Sequence, residues 1–375
     1  MIYVHIPYCH HRCTYCAFYS QAGHRDEMAA YADAVCKEIA LRKDFLGAGH
    51  PIKTLYFGGG TPTLLPINLL QQIVGFLKES FDLSQLEEAT IEANPENLTP
   101  DYLDSLHGIG LFNRISIGIQ SFGDADLRLT NRIHTANQAV SAVENAWNAG
   151  FTNISADLIY GIPGQSLPDW DENLRIAADL PIKHLSCYSL TVEEGSMLQQ
   201  QMSAGRVPKI DEDTAIAAYE HLLKWAADHG FEQYEISNFA KPGFHSKHNS
   251  RYWDRTPYLG LGAAAHSFSG NCRRWNIANA QQYIRAMNEG VCCHEEERLS
   301  PTQAANEYLM TALRTTKGIE WAVIDAMCSE ADSKQIGRAL NQCQEQGLLT
   351  FANGFYAPTH DGLLMADAIA IKIML

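Results

Sequence analysis

Hydrophobic and polar positions follow two alternating periods along the first two thirds of the chain. Short runs of β-branched and aromatic residues, typical of strands, alternate with longer segments in which apolar residues recur every three or four positions. In the segment 26–43, for example, Met28, Tyr31, Val35 and Ile39 fall on one face of a helix. The pattern predicts strands at 3–6, 54–57, 89–93, 114–120, 153–160 and 184–190, and helices at 26–43, 69–77, from 100 onward, 136–149, 167–179 and 211–229.

Six consecutive βα units predict an α/β fold with a parallel sheet covered by helices. Eight such units would close a barrel, whereas six favour an open, partial (β/α)6 barrel of the triosephosphate-isomerase type. Functional residues in this architecture lie at the C-terminal ends of the strands. The unusual residues of the chain are expected at those ends.

The pattern changes after residue 236. The segment 237–274 is rich in Gly, His, Tyr and Trp and shows little periodicity, whereas helices are predicted at 300–315, 321–328 and 332–346. Asn353-Gly354 then predicts a tight hairpin. We therefore predict a barrel at 1–236, a connecting segment at 237–299 and a winged-helix-like α+β domain at 300–375.

Composition and charge narrow the class of partner. The 375 residues include 28 Lys+Arg and 43 Asp+Glu, a formal net charge of -15 that a phosphate backbone repels. The segment 300–375 is also acidic, so we expect no nucleic-acid binding there. The sequence shows no apolar run of about 18 residues, which predicts no integral membrane segment. The first residues lack a basic signal region, and we expect a cytoplasmic protein.

Three cysteines follow the first predicted strand closely. Cys9, Cys13 and Cys16 have the spacing C-x3-C-x2-C, and thiolates are the preferred ligands of iron–sulfur clusters. Three ligands would leave one iron of a [4Fe–4S] cube open to a substrate. The alternative is a structural zinc site that adds one of His5, His10 or His11. The other seven cysteines show no ligand spacing and are expected to be ordinary thiols.

A glycine run ends the second predicted strand. Gly58, Gly59 and Gly60 precede Thr61-Pro62, and such a run lets the backbone approach a small molecule closely. A tight turn would explain three glycines equally well. The run gains weight because the cysteine loop is expected beside it.

Together these motifs resemble the radical S-adenosylmethionine (SAM) superfamily. Within it, the segments 3–7, 92–95, 117–122 and 157–163 and the winged-helix-like tail resemble the oxygen-independent coproporphyrinogen III oxidase family. The resemblance covers the chain from about residue 2 onward. It implies that Cys9, Cys13 and Cys16 hold a [4Fe–4S] cluster and that SAM binds to its open iron.

The resemblance also implies SAM-binding residues by their positions. Tyr3, Gly59 and Glu92 match residues that hold the cluster-bound SAM, Gly60 and Thr61 continue that wall, and His266 matches a position near the adenosyl end. Some family members bind a second SAM, and the positions that match this site are Tyr15, Gln120, Arg132, Asp157 and Thr191. Gln120 and Asp157 could equally orient the first SAM or a substrate, so the sequence leaves open whether a second SAM binds.

Two branches of the family differ in function. One branch decarboxylates coproporphyrinogen III and carries a further cysteine two residues after the third ligand, where this chain has Phe18. That branch also extends ahead of the first strand, which here begins by Tyr3. The other branch consists of HemW-type heme chaperones, and the resemblance to it implies heme binding and transfer to acceptor proteins, respiratory proteins among them. A dehydrogenase or another tetrapyrrole-modifying radical SAM enzyme is the alternative, so enzymatic activity stays undecided.

The segment 248–253 resembles the H-N-x-x-Y-W motif of the chaperone branch. The implied heme-binding residues are His248, Asn249, Tyr252 and Trp253, with His245 as the alternative axial ligand. Imidazole is a common ligand of heme iron, and aromatic rings offer flat apolar surface. Lys247 and Arg251 flank His248 as charge partners for propionates. The segment 237–274, which contains this motif, is expected to lie across the barrel mouth near the cysteine loop. Contact of the protein with a membrane is expected to be peripheral at most.

Overall fold

The computed structural model describes residues 1–47 and 49–375. Its strands, in chain order, are β1 (Ile2–Ile6), β2 (Tyr8–Cys9), β3 (Gln21–Ala22), β4 (Thr54–Gly59), β5 (Glu88–Ala93), β6 (Arg114–Gln120), β7 (Ile154–Tyr160), β8 (His184–Ser189), β9 (Glu232–Gln233), β10 (Asn238–Ala240), β11 (Leu259–Leu261), β12 (His266–Phe268), β13 (Cys272–Asn276), β14 (His294–Arg298), β15 (Ile319–Glu320), β16 (Leu349–Ala352) and β17 (Phe355–Pro358). Its helices are α1 (Met28–Arg42), α2 (Ile67–Ser80), α3 (Pro100–His107), α4 (Asp124–Leu129), α5 (Ala136–Asn148), α6 (Leu167–Asp179), α7 (Met197–Ser203), α8 (Glu212–Asp228), α9 (Lys247–Trp253), α10 (Ala280–Asn288), α11 (Pro301–Ala312), α12 (Trp321–Met327), α13 (Glu330–Glu345), α14 (His360–Leu364) and α15 (Ala366–Ile373).

The largest sheet confirms the predicted open barrel. Its strand order is β11-β1-β4-β5-β6-β7-β8-β10-β9, and the six strands from β1 to β8 in this order pair in parallel. Strand β11 adds a further parallel partner to β1, whereas β10 runs antiparallel to β8. Because β10 and β11 come from the predicted connecting segment, the expected boundary at residue 236 is wrong: it cuts the sheet.

Helices cover the outer face of this sheet because their apolar stripes face it. On α1 the residues predicted for the inner face, Met28, Tyr31, Val35 and Ile39, are all buried. They join one large core with the outward residues of the strands. Full burial of such a side chain stabilises the fold by about 1.5–3 kcal/mol each.

A buried ion pair on α1 anchors the segment that follows the barrel. Glu38 accepts hydrogen bonds from Arg42 Nη1 (2.9 Å), the Gly262 amide (2.8 Å), Asn276 Nδ2 (2.8 Å) and the Tyr283 hydroxyl (2.7 Å). Arg42 is on α1 itself, whereas Gly262 follows β11, Asn276 ends β13 and Tyr283 is on α10. One carboxylate therefore joins the outer barrel helix to three later elements of the chain.

The C-terminal domain has its own core and sheet. Helices α11 to α13 pack with the sheet β15-β17-β16 and with α15. Asn353 and Gly354 have φ angles of 52° and 84°, as the predicted tight hairpin requires. The sequence pattern missed the two final helices, α14 and α15. No helix within the described ranges has the length and apolar character needed to span a membrane.

We expect Glu38→Ala to lower the free energy of unfolding by about 3–5 kcal/mol, because it leaves Arg42 buried without its charge partner. Urea denaturation followed by circular dichroism measures this change. Glu172→Ala is the matched control, since Glu172 pairs with Arg175 on the surface and should leave the urea midpoint unchanged. Equal effects of the two substitutions would contradict the role assigned to Glu38.

Candidate functional site

A cavity of about 790 Å³ opens at the C-terminal ends of the parallel strands. Its volume is that of a small-molecule site. The predicted residues that line it are Cys9, Cys13, Cys16, Tyr15, Gly59, Gly60, Thr61, Glu92, Gln120, Arg132, Asp157 and Thr191. Cluster and SAM positions that lie up to about half the chain apart in sequence are thus brought together.

The cysteine loop follows β1 and forms one rim of the cavity. Cys9, Cys13 and Cys16 are free thiols. The Thr61 hydroxyl donates to Cys9 Sγ over 3.6 Å, and Arg132 Nη1 donates to Cys13 Sγ over 3.5 Å. Hydrogen-bond donors directed at cysteine sulfur are the second-sphere groups that tune an iron–sulfur cluster. The residues present therefore fit three thiolate ligands of such a cluster.

Two of the three histidines proposed for a zinc alternative have other partners, whereas the third, His11, is exposed beside the cysteine loop. His5 Nε2 donates to the Tyr19 carbonyl over 3.0 Å, and His5 Nδ1 accepts from the Tyr3 hydroxyl over 2.9 Å. The ring nitrogens of His10 contact Arg25 and Asn97. Across residues 1–47 and 49–375, no three His, Cys, Asp or Glu side chains are grouped for a single metal ion. These contacts argue against His5 and His10 as the fourth ligand of a Cys3His zinc site.

The glycine run is required by close packing of β4 against β1. A Cβ atom on Gly59, whose φ is 110°, would lie 2.5 Å from the His5 ring. A Cβ atom on Gly60 would lie 2.7 Å from the Tyr8 carbonyl oxygen. The run therefore brings bare backbone to the cavity wall beside the cysteine loop, as a cofactor that contacts backbone requires.

Glu92 lies at the inner wall of the cavity, near the end of β5. Its carboxylate accepts hydrogen bonds from the Tyr56 hydroxyl (2.7 Å) and from the Gly59 amide (3.0 Å). Burial raises the pKa of Glu92 to about 7, although the Tyr56 hydroxyl acts in the opposite direction. A cationic ligand in the cavity would favour the ionised carboxylate, and SAM is such a ligand.

Arg132 connects the cysteine loop to the central strands. Besides Cys13, its guanidinium contacts the Gly118 carbonyl and donates to Asn94 Oδ1 over 2.8 Å. Asn94 in turn donates to the Thr61 hydroxyl over 2.9 Å. Sequence reasoning did not single out Asn94 as a site residue, although it stands two positions after Glu92 and lines the same cavity. The arginine expected at a second SAM site thus contacts Cys13, a predicted cluster ligand.

Gln120 and Asp157 lie on the same side of the cavity. Gln120 ends β6 with a φ of 69°, a left-handed conformation that costs about 1–3 kcal/mol in a non-glycine residue and is common at functional sites. Asp157 accepts a hydrogen bond from the Ser116 hydroxyl over 3.1 Å. Burial raises the pKa of Asp157, with the Ser186 hydroxyl opposing that change. Both side chains are available to polar groups of a ligand.

Two predicted SAM residues lie outside the cavity lining. Tyr3 lies below it, stacked on Tyr56 with 6.0 Å between ring centroids and hydrogen-bonded to His5. Its link to the cavity is indirect, because the Tyr56 hydroxyl donates to Glu92, which lines the cavity. His266 is exposed, stacks on Trp275 and lines a separate cleft of about 260 Å³. The structure therefore does not place His266 on the wall of the larger cavity.

The motif helix α9 lies at the opposite end of the barrel from the cysteine loop. The backbone amides of Lys247 and His248 donate to the carboxylate of Glu88, the first residue of β5, over 2.8 and 2.9 Å. His248 Nδ1 is hydrogen-bonded to the hydroxyl of Thr54, the first residue of β4, over 3.0 Å. The expectation that this segment lies across the barrel mouth is wrong. Strand β10 runs antiparallel to β8 and carries the chain back to the N-terminal ends of the parallel strands, the end that we call the barrel floor.

The surroundings of His248 argue against an axial heme ligand in this conformation. The side chain is fully buried, and its Nε2 atom is hydrogen-bonded to the Tyr252 hydroxyl over 3.1 Å. Burial lowers the pKa of His248 to about 3, so the ring is neutral. Heme coordination would require the ring to leave this pocket and to give up both hydrogen bonds.

The neighbours of His248 also make contacts within the protein at the barrel floor. Lys247 and Arg251, expected as propionate partners, both lie within ion-pair distance of Glu87. His245, the alternative ligand, stacks on Tyr234 with 4.4 Å between ring centroids. Asn249 and Trp253 are half-buried on the same short helix. The motif closes the barrel floor in this structure.

The fold and the cysteine-lined cavity define a radical SAM protein, and the sequence model of the Radical SAM superfamily matches residues 3–177. A second model, the HemN C-terminal domain, matches residues 299–365. The chain is 33% identical to "Heme chaperone HemW" of Bacillus subtilis, over 98% of this chain and 97% of that protein. It is 30% identical to "Heme chaperone HemW" of Escherichia coli, over 98% and 96% of the two chains. Within the superfamily, the chain belongs to the HemW family.

Two further likenesses are consistent with this placement. The chain is 30% identical to "Radical S-adenosyl methionine domain-containing protein 1, mitochondrial" of Bos taurus, over 100% of this chain and 87% of that protein. The solved structure of Escherichia coli coproporphyrinogen III oxidase (HemN) superimposes with a TM-score of 0.86, covering 100% of this chain and 89% of that chain. At 24% identity this second likeness shows the shared fold alone.

We expect SAM to bind more tightly as the pH rises from 6 to 8, by about tenfold, because Glu92 ionises near pH 7 and its carboxylate attracts the cationic ligand. Equilibrium dialysis of SAM against anaerobically reconstituted protein measures this dependence. Glu92→Gln should weaken binding and flatten the profile. Tyr56→Phe, which removes the hydroxyl that lowers the pKa of Glu92, should move the midpoint to higher pH. A profile unchanged in Glu92→Gln would contradict this assignment.

Proposed function

We propose that this chain is a heme chaperone that carries a [4Fe–4S] cluster and SAM, and that it passes heme to acceptor proteins. The observation that carries the proposal is the near full-length likeness to relatives named heme chaperones, joined to a cavity that gathers the predicted cluster and SAM residues. Its expected setting is the cytoplasm, its expected acceptors include respiratory proteins, and its own contact with a membrane would be peripheral.

Cys9, Cys13 and Cys16 would supply the three thiolate ligands of the cluster. When bound, such a cluster supplies an electron and an open iron position at which SAM is held. Burial raises the pKa of Cys9 and of Cys16, so the free thiols are protonated at neutral pH and release protons when iron binds. Thr61 and Arg132 then donate to the sulfurs of Cys9 and Cys13.

The remaining cavity residues would bind and orient SAM. Glu92 offers a carboxylate to the cationic end of the ligand, and the glycine run offers backbone groups at short range. Tyr15, Gln120, Asp157 and Thr191 provide further polar partners on the cavity wall. A second SAM on this side would compete with contacts that Arg132 already makes to Cys13 and Asn94.

Phe18 separates the chaperone proposal from coproporphyrinogen III dehydrogenase activity. It stands where the dehydrogenase branch is expected to carry a further cysteine, and its ring is 70% exposed at the cavity mouth. A reactive group formed in a cavity with so open a mouth is not shielded from solvent, and ordered turnover depends on such shielding. The open mouth therefore favours binding and delivery of heme over modification of a porphyrinogen.

Replacing any one of Cys9, Cys13 and Cys16 by Ala should remove most of the cluster after anaerobic reconstitution, because two thiolates do not hold the cube. Iron and sulfide analysis with visible absorbance measures the loss. Cys272→Ala is the matched control, because Cys272 lies on β13 outside the cavity lining, and this variant should reconstitute fully. Stoichiometric zinc in the native protein, or full iron in the cysteine variants, would contradict the cluster.

The reconstituted protein should bind hemin and leave coproporphyrinogen III unchanged. The hemin experiment is an anaerobic titration followed at the Soret band. The turnover experiment incubates the reduced protein with SAM and coproporphyrinogen III and separates the tetrapyrroles by chromatography. Formation of protoporphyrinogen IX over many turnovers would overturn the chaperone proposal in favour of the dehydrogenase.

A further inference from the structure

Large apolar side chains surround the mouth of the cavity and are exposed to solvent. Phe18 is 70% exposed, Ile216 50%, Leu364 45% and Tyr188 43%. They come from the cysteine loop, α8, α14 and the end of β8, yet all four line the same cavity. We call these four side chains the apolar rim.

Convergence distinguishes the apolar rim from ordinary surface hydrophobics. Single exposed apolar residues such as Phe351 and Ile371 occur elsewhere on the described surface and need no special explanation. Exposing a continuous apolar patch to water opposes folding. A patch that four distant segments build around a cavity is therefore typical of a binding surface, where a ligand or partner covers it. The rim includes Leu364 from the C-terminal domain, whose His360 stacks on Tyr219 of α8 with 6.3 Å between ring centroids. The docked C-terminal domain is therefore part of this surface.

The polar groups beside the apolar rim match one kind of occupant. Among the described residues that line the cavity there is one histidine, His11, and its side chain is exposed. Arg12 follows it, is exposed and also lines the cavity, with one contact from Nη2 to the Cys16 carbonyl at 3.4 Å. An imidazole, a guanidinium and a broad apolar edge suit a flat apolar macrocycle that carries a metal and carboxylates.

We propose that heme docks on the apolar rim, with His11 as axial ligand and Arg12 as a propionate partner. The inference rests on the proposed function. It moves the expected heme site from His248 at the barrel floor to the barrel mouth. In this position the macrocycle would cover the cavity whose wall carries Cys9, Cys13, Cys16 and Glu92. The mouth is open in this structure, whereas His248 on the floor is buried and hydrogen-bonded through both ring nitrogens.

Hemin titration of the reconstituted, SAM-loaded protein tests the placement. Leu364→Asp and Phe18→Asp should each weaken hemin binding about tenfold or more, because each puts a carboxylate against an apolar ring. Phe351→Asp is the matched control, since Phe351 is 47% exposed in the same C-terminal domain and does not line the cavity. It should bind hemin as the wild type does. Leu364 is far from the cysteines in sequence, so its variant should keep a full complement of cluster iron.

The histidine variants identify the axial ligand. His11→Ala should shift or weaken the Soret band, whereas His248→Ala should lower the melting temperature and leave the band of the folded protein unchanged. Wild-type hemin affinity in both Leu364→Asp and Phe18→Asp would overturn the placement, as would a Soret change in His248→Ala alone. A wild-type protein that binds no hemin would instead overturn the proposed function itself.

Discussion

The parallel register of the six central strands is the constraint on which the site depends. Because each strand runs in the same direction, the loops after β1 and β4 and the ends of β5 to β8 meet at one edge of the sheet. Within that register Glu92 lies opposite Ser116, and both side chains line the cavity. A slip of one residue would turn Glu92 toward the helices and remove it from the cavity. The strand register therefore decides which side chains face the cavity.

The same geometry gives the barrel two unlike ends. At the mouth, the chain leaves free thiols, a strained Gln120, the half-buried carboxylate of Glu92 and exposed apolar side chains. At the floor, Glu88 receives the amides of α9, and His248 fills the space beneath Tyr56. Buried Arg114, whose Nε and Nη1 atoms have no hydrogen-bond partner among the described residues, offsets part of the negative charge of Glu92 and Asp157 inside the barrel. The floor is closed by hydrogen bonds within the protein, whereas the mouth retains groups that a ligand would satisfy.

How far the sequence predicts the structure depends on how local each signal is. The six parallel strands, the helix α1 and the Asn353-Gly354 hairpin were predicted because each has its own period or turn chemistry within a few residues. The position of α9 was not predictable in this way, since it depends on the three-residue strand β10, which reverses direction and leaves no clear periodic signal. Helix α14 is five residues long, too short for a helical period, so the rim residue Leu364 was also missed.

Anomalous X-ray diffraction at the iron edge tests most directly where heme lies relative to the cluster. The crystal would hold protein that is anaerobically reconstituted and loaded with SAM and hemin. Two iron signals are predicted: one at Cys9, Cys13 and Cys16, and one outside the mouth, between Phe18 and Leu364. A heme iron signal at the barrel floor beside His248, or no iron at the three cysteines, would contradict the account.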